Sequence, residues 1–399
     1  MSISDKELVV KTKIFLPLIA ILLISISGCE RIRQIVAPDV SESEPISTIK
    51  VGVIQPSGLA PNFTRGAELA RSQVNHAGGL LGMQVEFIVM DNQGDREFPD
   101  PDESVRIAKA LIQEEGVVAI LGPLLSTNSM QVGPVVTELR RPIITGSSGE
   151  RVTSTGEFVF ITVVPSSVQG MTTAQFALDP TELNAKTAAT IHQTGDVYSG
   201  AVTDAFEKNF QTLEGELVAS EVYQHGDRDF TAQLAEIQAG APDVLLIAGF
   251  SPEIPLLALQ ARNMGIDATF IGTNGWDEPD KLLGTLEDNT PLEGSYFTRG
   301  FNVESVSAPA FVKAYTAMYM EPPDGPSAWG YDAMSLLALA IKNAGTLDPD
   351  AIRDTLAATT NYQGATTISH FDENRHPIKY VELYRIRNGQ IELYKVVSP

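Results

Sequence analysis

The chain has 399 residues, 43% of them hydrophobic and 20% charged, a composition that excludes a disordered polymer and a length that allows two domains with sizeable cores. The formal net charge of −22 argues against a nucleic-acid partner, because a polyanion is repelled by such a chain. The single cysteine, Cys29, rules out an intrachain disulfide and a multi-cysteine metal site, and the five histidines fall in no metal-ligand spacing, so no metal or cofactor is expected.

Taken in order, the chain opens with Lys6, Lys11 and Lys13 ahead of an apolar run from Ile14 to Ile26. That run is short for a membrane span and ends in small residues, which reads as a secretory signal peptide over residues 1–28. Its end, Ile26-Ser-Gly-Cys29, resembles the lipobox of bacterial lipoproteins. The resemblance implies cleavage before Cys29 and attachment of lipid to it, hence an envelope location on the extracytoplasmic face of a membrane. Residues 29–47 are polar, carry Pro38 and Pro45, and suit a flexible tether.

From residue 48 onward, strand and helix patterns alternate. Ile49 to Ile54 reads as a strand. Phe63, Ala67, Ala70 and Val74 then recur at helical spacing up to Ala77-Gly-Gly79. Gln84 to Asp91 is the next strand, and Glu103 to Gln113 the next helix. The run Val117 to Leu121 reads as a strand buried on both faces, broken by Gly122-Pro123. Ser126 stands where the following helix would be capped, which would leave backbone N–H groups of residues 127–129 beside a hydroxyl. That arrangement either caps a helix and holds nothing, or holds an anion at the carboxyl end of a strand. A second Ser-rich turn, Thr145-Gly-Ser-Ser-Gly149, follows the short strand Pro142 to Thr145, and two such turns on neighbouring strands favour a site.

The strand Glu157 to Val163 leads to Pro165, where a second series begins. Its strands are Thr187 to Ile191, Leu217 to Tyr223, Val244 to Ala248 and Thr269 to Gly272, with helices between them, one of which Asp229 can cap. Gly294 to Thr298 is again extended. Helices follow at 309–319, 328–344 and 349–357, and they are hard to place in the second series, so the chain is expected to return to the first domain. The tail is a hairpin around Asn388-Gly389, a strong type I′ turn signal. Strand–helix repetition with short connections is the pattern of parallel sheets with right-handed crossovers.

Several stretches together resemble the leucine/isoleucine/valine-binding protein family, type I periplasmic binding proteins that serve as receptors of ABC importers. They are Gly66-Ala-Glu-Leu-Ala70, Asn75-His-Ala-Gly-Gly79, Gly122-Pro-Leu-Leu-Ser126, Pro142-Ile-Ile-Thr-Gly-Ser-Ser148, Asp227-Arg-Asp-Phe230, Asn274-Gly-Trp-Asp277, Ala328-Trp-Gly-Tyr-Asp-Ala333 and Phe371-Asp-Glu-Asn374. The resemblance implies an α/β fold of two Rossmann-like lobes with parallel-dominated sheets, joined by a three-segment hinge. Residues 48–164 and 296–366 would form the N-terminal lobe, and 165–295 and 367–399 the C-terminal lobe, with crossovers near Val164, Ser295 and Thr366.

It also implies a ligand held between the lobes. Ser126 matches a serine that takes an α-carboxylate, and Ser147, Ser148 and Gly149 lie on the turn that holds the polar head. Phe63, Tyr198 and Phe250 match cleft aromatics, with Trp276 a further candidate; each either faces the cleft or fills the core. Asn274 stands where the family has an acidic partner for the α-ammonium, and Gly149 lacks a hydroxyl that the family carries. Asp277 either turns inward to replace the missing charge or caps the helix running into Leu282. With no Lys or Arg in the loops assigned to the cleft, the implied ligand is a neutral amino acid, branched-chain or other, or a related carboxylate. The implied partners are this small molecule, an ABC permease and ATPase, and the membrane through the lipid anchor. The alternative is a sensory lipoprotein of the same fold. An enzyme is not expected: the chain has no G-x-S-x-G elbow, P-loop or dinucleotide fingerprint.

Overall fold

The structure, a computed structural model, describes residues 48–398 apart from 97, 278 and 305–307, and of residue 280 only the backbone. The expected signal peptide, the tether and Cys29 lie outside the described residues. Among the described residues no helix is long and apolar enough to cross a membrane.

The first series runs β1 (Thr48–Gln55), α1 (Asn62–His76), β2 (Gln84–Asp91), α2 (Pro101–Gln113), β3 (Ile120–Leu121), α3 (Ser126–Glu138), β4 (Ile143–Thr145) and β5 (Val159–Ile161). These strands form a wholly parallel sheet of order β2-β1-β3-β4-β5. Alternate residues enter opposite cores: Val51, Val53, Leu121 and Ile144 pack on the side of α1, while Ile54, Ile120 and Ile143 pack toward α2 and α3. The run Val117–Leu121 is paired as regular strand only at its last two residues. Its earlier part still lies along β1, through Val118 N donating to Lys50 O and Gly52 N to Ala119 O. Helix α2 starts two residues before the expected Glu103, because Asp100 accepts from the N–H groups of Asp102 and Glu103 and Pro101 suits the first turn.

The second series runs α4 (Ser166–Leu178), β6 (Thr187–Gln193), α5 (Val197–Thr212), β7 (Glu216–Tyr223), α6 (Thr231–Gly240), β8 (Val244–Ala248), α7 (Glu253–Asn263), β9 (Thr269–Gly272), α8 (Pro279–Gly284) and β10 (Tyr296–Arg299). After it come α9 (Pro309–Tyr319), α10 (Gly325–Ala344), α11 (Pro349–Ala357), a small ribbon of β11 (Thr360–Gln363) and β12 (Thr367–His370), and the hairpin β13 (Val381–Arg387) and β14 (Gln390–Val397). The second sheet has the order β14-β13-β10-β9-β8-β6-β7, parallel from β7 to β10 and antiparallel beyond. Asn388 and Gly389 both have positive φ, as the expected type I′ turn requires. Strand β8 is buried at all five residues because α6 and α7 cover one face and α4 and α5 the other.

Helix α10 returns to the first sheet, where Ala333, Leu337 and Ile341 join Val51 and Val53 in one core. It meets α1 backbone to backbone: a Cβ built on Gly66 would lie 1.8 Å from Ser327 O, and one on Gly330 1.9 Å from Phe63 O. Residues near the expected lobe boundaries differ in allegiance from the sequence reading. Tyr296–Arg299 pair within the second sheet, while Ile368 and Phe371 pack in the first core. The ribbon of β11 and β12 has no apolar alternation to announce it; its exposed strands pair because Tyr362 and Ile368 are its buried anchors.

Candidate functional site

Strand order reverses between β1 and β3 in the first sheet and between β6 and β8 in the second. Open α/β sheets leave a crevice at the carboxyl ends of strands at such a point. The loops after β1, β3 and β4 meet those after β6, β8 and β9 there and line a cleft whose empty space, open solvent included, is about 530 Å³. Leu59, Ala60, Leu124, Leu125, Ser126, Gly146 and Ser148 line it from the first sheet's loops. Tyr198, Phe250, Asn274, Gly275 and Asp277 line it from the second's, and Pro326 and Trp329 from the first turn of α10.

Six of the expected residues are therefore brought together: Ser126, Ser148, Tyr198, Phe250, Asn274 and Asp277. Ser126 does not cap α3; Leu125 holds the cap position and Ser126 is the first helical residue. Its hydroxyl accepts the Gly149 N–H at 3.0 Å, which leaves its own proton free to donate into the cavity. The N–H of Ser129 is already given to Leu125 O, so the exposed donors of the expected triad reduce to residues 127 and 128.

Four expected residues are off the cavity wall. Ser147 faces inward, its hydroxyl shared with Ser129 at 2.7 Å and with Leu124 O at 3.1 Å. Gly149 stands behind Ser126, and a Cβ there would lie 2.9 Å from the Ser126 oxygen. Phe63 is fully buried in the core of the first sheet, under the loops. Trp276 is core as well: its ring stacks on Phe297 at 5.7 Å and its indole N–H donates to Ile247 O at 3.0 Å.

The second wall is held by a dense polar framework. The Tyr198 hydroxyl donates to Thr273 Oγ1 and accepts from Gly275 N at 3.0 Å, and burial pushes its pKa up. Phe250 leans on Tyr198 with centroids 5.7 Å apart. Asn274 gives its backbone N–H to Gln169 Oε1 at 3.2 Å, and its side-chain oxygen is buried without a partner. Asp277 pairs with Arg299 through Oδ1, while its other oxygen, Oδ2, is buried and unpartnered. Burial pushes the Asp277 carboxyl up to about 6, against the pull of the guanidinium.

Sequence reasoning missed Trp329 and Pro326, although Trp329 stands in one of the quoted stretches; nothing local shows that the first turn of α10 reaches the cleft. It also missed Arg299, which lies on β10 behind the Asp277 loop.

The two sets of loops touch around the cavity. Thr127 Oγ1 donates to Asp196 Oδ1 at 3.1 Å and accepts from Val197 N at 3.2 Å. The Phe98 ring lies 4.5 Å from that of His225 and 5.8 Å from that of Phe250. The arrangement is thus a small, half-open cleft with hydroxyl and N–H donors on one side and a spare carboxylate oxygen on the other. It has the shape and polarity to hold a small zwitterion, and among the described residues no cluster of three metal-ligating side chains occurs.

A family model described as "Periplasmic binding protein" matches residues 48–390. Among curated proteins, the leucine-, isoleucine-, valine-, threonine-, and alanine-binding protein of Pseudomonas aeruginosa is 26% identical over 358 residues, covering 87% of this chain and 93% of that protein. Among solved structures, the leucine binding protein LivK of Thermotoga maritima superposes with a TM-score of 0.79 at 29% identity, over 88% of this chain and 99% of that one. The substrate binding protein LivJ of Streptococcus pneumoniae, in complex with isoleucine, gives 0.79 at 28% identity, over 88% of this chain and all of that one.

Proposed function

Because the chain belongs to the periplasmic binding protein family, we propose that it is the lipid-anchored solute receptor of an ABC importer and closes around a small neutral amino acid. The observation that carries the reading is the pair of opposed polar walls. The Ser126 hydroxyl at the start of α3 suits an α-carboxylate, and the spare Oδ2 of Asp277 suits an α-ammonium. Leu59, Leu124, Tyr198, Phe250 and Trp329 would surround an apolar side chain. Ser147 and Gly149 act in this reading as the layer that orients Ser126, and Phe63 and Trp276 as the core beneath the loops. The amino acids named for the Pseudomonas relative and the isoleucine held by the Streptococcus protein support the same ligand class.

In this reading closure is hinge motion between two lobes, one drawn from residues 48–164 and 300–380 and the other from 165–299 and 381–398, a division that the pairing of β10 in the second sheet and the packing of Ile368 and Phe371 in the first core support over the expected boundaries at 295 and 366. Cys29 would carry the lipid, with residues 29–47 as the tether to the outer face of the membrane. No reaction is catalysed; the ligand's contacts with both lobes supply the stabilisation of the closed state.

The test is calorimetry of protein purified without denaturation against leucine, isoleucine, valine, alanine, threonine and phenylalanine, with native mass spectrometry for retained ligand. Saturable binding of at least one of these with one-to-one stoichiometry is expected. Heats of dilution alone across the panel, with no co-purified amino acid, would sink the proposed ligand class.

A further inference from the structure

We infer that Arg299 is the positioning residue of the amine half of the site: it grips one oxygen of Asp277, turns the other to the cleft, and keeps that carboxylate available to a ligand's ammonium. The inference rests on the amino-acid reading above and adds a residue that does not touch the ligand. Arg299 Nε lies 2.6 Å and Nη2 2.5 Å from the same oxygen, Oδ1. Both donors on one oxygen leave Oδ2 with nothing, although it is buried and on the cavity wall. An orphaned buried carboxylate oxygen is costly unless a donor arrives, and an ammonium supplies one.

The surroundings keep this geometry fixed. The Arg299 side chain is only 14% exposed and its Cζ lies 4.8 Å from the centroid of the Tyr384 ring on β13. Gly325, the first residue of α10, makes the room that Oδ2 occupies; a Cβ there would lie 2.5 Å from it. The charged and titratable groups facing the pair among the described residues are Tyr198 on α5, Asp324 at the cap of α10 and, from β13, Glu382 and Tyr384. Asp324 is engaged by Asn62 Nδ2 at 2.8 Å and Ser327 N at 2.9 Å, and Glu382 accepts from the Tyr384 hydroxyl at 3.2 Å. Arg299 is therefore the one cation among them, and without it the buried Asp277 would keep only the half-buried acids Asp324 and Glu382 and two tyrosines for charged or titratable neighbours.

Arg299 also closes β10, the last strand before the chain leaves the second sheet for α9.

The experiment measures affinity against pH from 5 to 8.5 for the panel amino acid that binds most tightly and for the 2-oxo acid with the same side chain, in the wild type, Arg299→Met and Arg299→Lys. For the wild type, amino-acid affinity should be flat above pH 7 and fall below about pH 6 toward a limit of about tenfold per pH unit, as one proton competes with the amine. In Arg299→Met the midpoint should move upward, with at least tenfold weaker amino-acid binding at pH 7 that recovers toward pH 8.5, while the oxo acid binds as to the wild type. Arg299→Lys keeps the charge without the fork; it should show a smaller shift in the same direction, and it carries the test should the methionine variant be too unstable to purify. An unchanged midpoint, or equal losses for amino and oxo acids, overturns the positioning role while leaving the amino-acid reading intact. A wild type that binds no amino acid at any pH overturns both.

Discussion

On the proposed reading, Ser126 and Asp277 divide the recognition of a zwitterion between them. Ser126→Ala removes a buried hydroxyl that stands between Gly149 N and the cavity. Losing a hydrogen bond to a charged group costs about 1.5–3 kcal/mol, so calorimetry should find amino-acid and oxo-acid affinity both reduced by roughly ten- to a hundredfold. Asp277→Asn should weaken only the amino acid. In the free protein the effect of Asp277 on stability has the opposite sense to its effect on binding. Its pKa is raised from 3.8 to about 6, so the fold favours the protonated form, and that contribution is fully present below 3.8 and lost as pH rises through 6. Ligand binding gains over the same interval. The chain has two tryptophans, and they report on different places. Trp329 lines the cavity whereas Trp276 is stacked in the core, so a ligand-induced fluorescence change should vanish in Trp329→Phe and persist in Trp276→Phe.

The legibility of the sequence changed from one element to the next. The apolar runs of β1 and β8 and the Asn-Gly hairpin were readable because burial on both faces and a positive-φ turn leave local signatures. The Gly/Ser loops after β3 and β4 were readable as turns at the carboxyl ends of strands, and both reach the cavity wall. The division of aromatics into wall and core was not: Phe63 in the first turn of α1 and Phe250 in the loop after β8 both border cleft loops, and only tertiary packing sends the first inward and the second to the cavity. Trp329 and Arg299 reach the site from elements far along the chain, and no periodicity encodes that. The same holds for the buried cluster at the crossovers. There Asp332 of α10 accepts from the Tyr362 hydroxyl at 2.7 Å, Ala365 N at 2.8 Å and Thr366 N at 3.0 Å. Lys379 donates to Thr162 O and Thr366 Oγ1, each at 2.7 Å. Burial pushes the Lys379 ammonium down to about 8, yet with Asp332 beside it the cation is the form that satisfies the cluster at neutral pH. Lys379→Met strips Asp332 of its counter-charge and should cost about 3 kcal/mol or more in denaturant unfolding.

Across the whole molecule, contacts outside the cavity also join the two sets of loops. Thr127 bridges to Asp196 and Val197, and Phe98 meets His225 and Phe250. Thr127→Val removes the bridge without touching the cavity wall. A net hydrogen bond is worth about 0.5–1.5 kcal/mol, so affinity should fall about two- to tenfold for amino and oxo acids alike, with the loss in a faster dissociation rate by stopped-flow. A ligand that binds the native state alone should, at a hundred times its dissociation constant, stabilise it by about 2.7 kcal/mol in thermal unfolding.

The backbone contact of Gly66 and Gly330 between α1 and α10 bears on how such a protein changes its diet. Any side chain at either position would wedge α10 away from α1, and Pro326 and Trp329 would travel with its first turn. New ligand preferences are therefore accessible from two positions that no ligand ever meets, and a mutational library restricted to the cavity lining would pass over them.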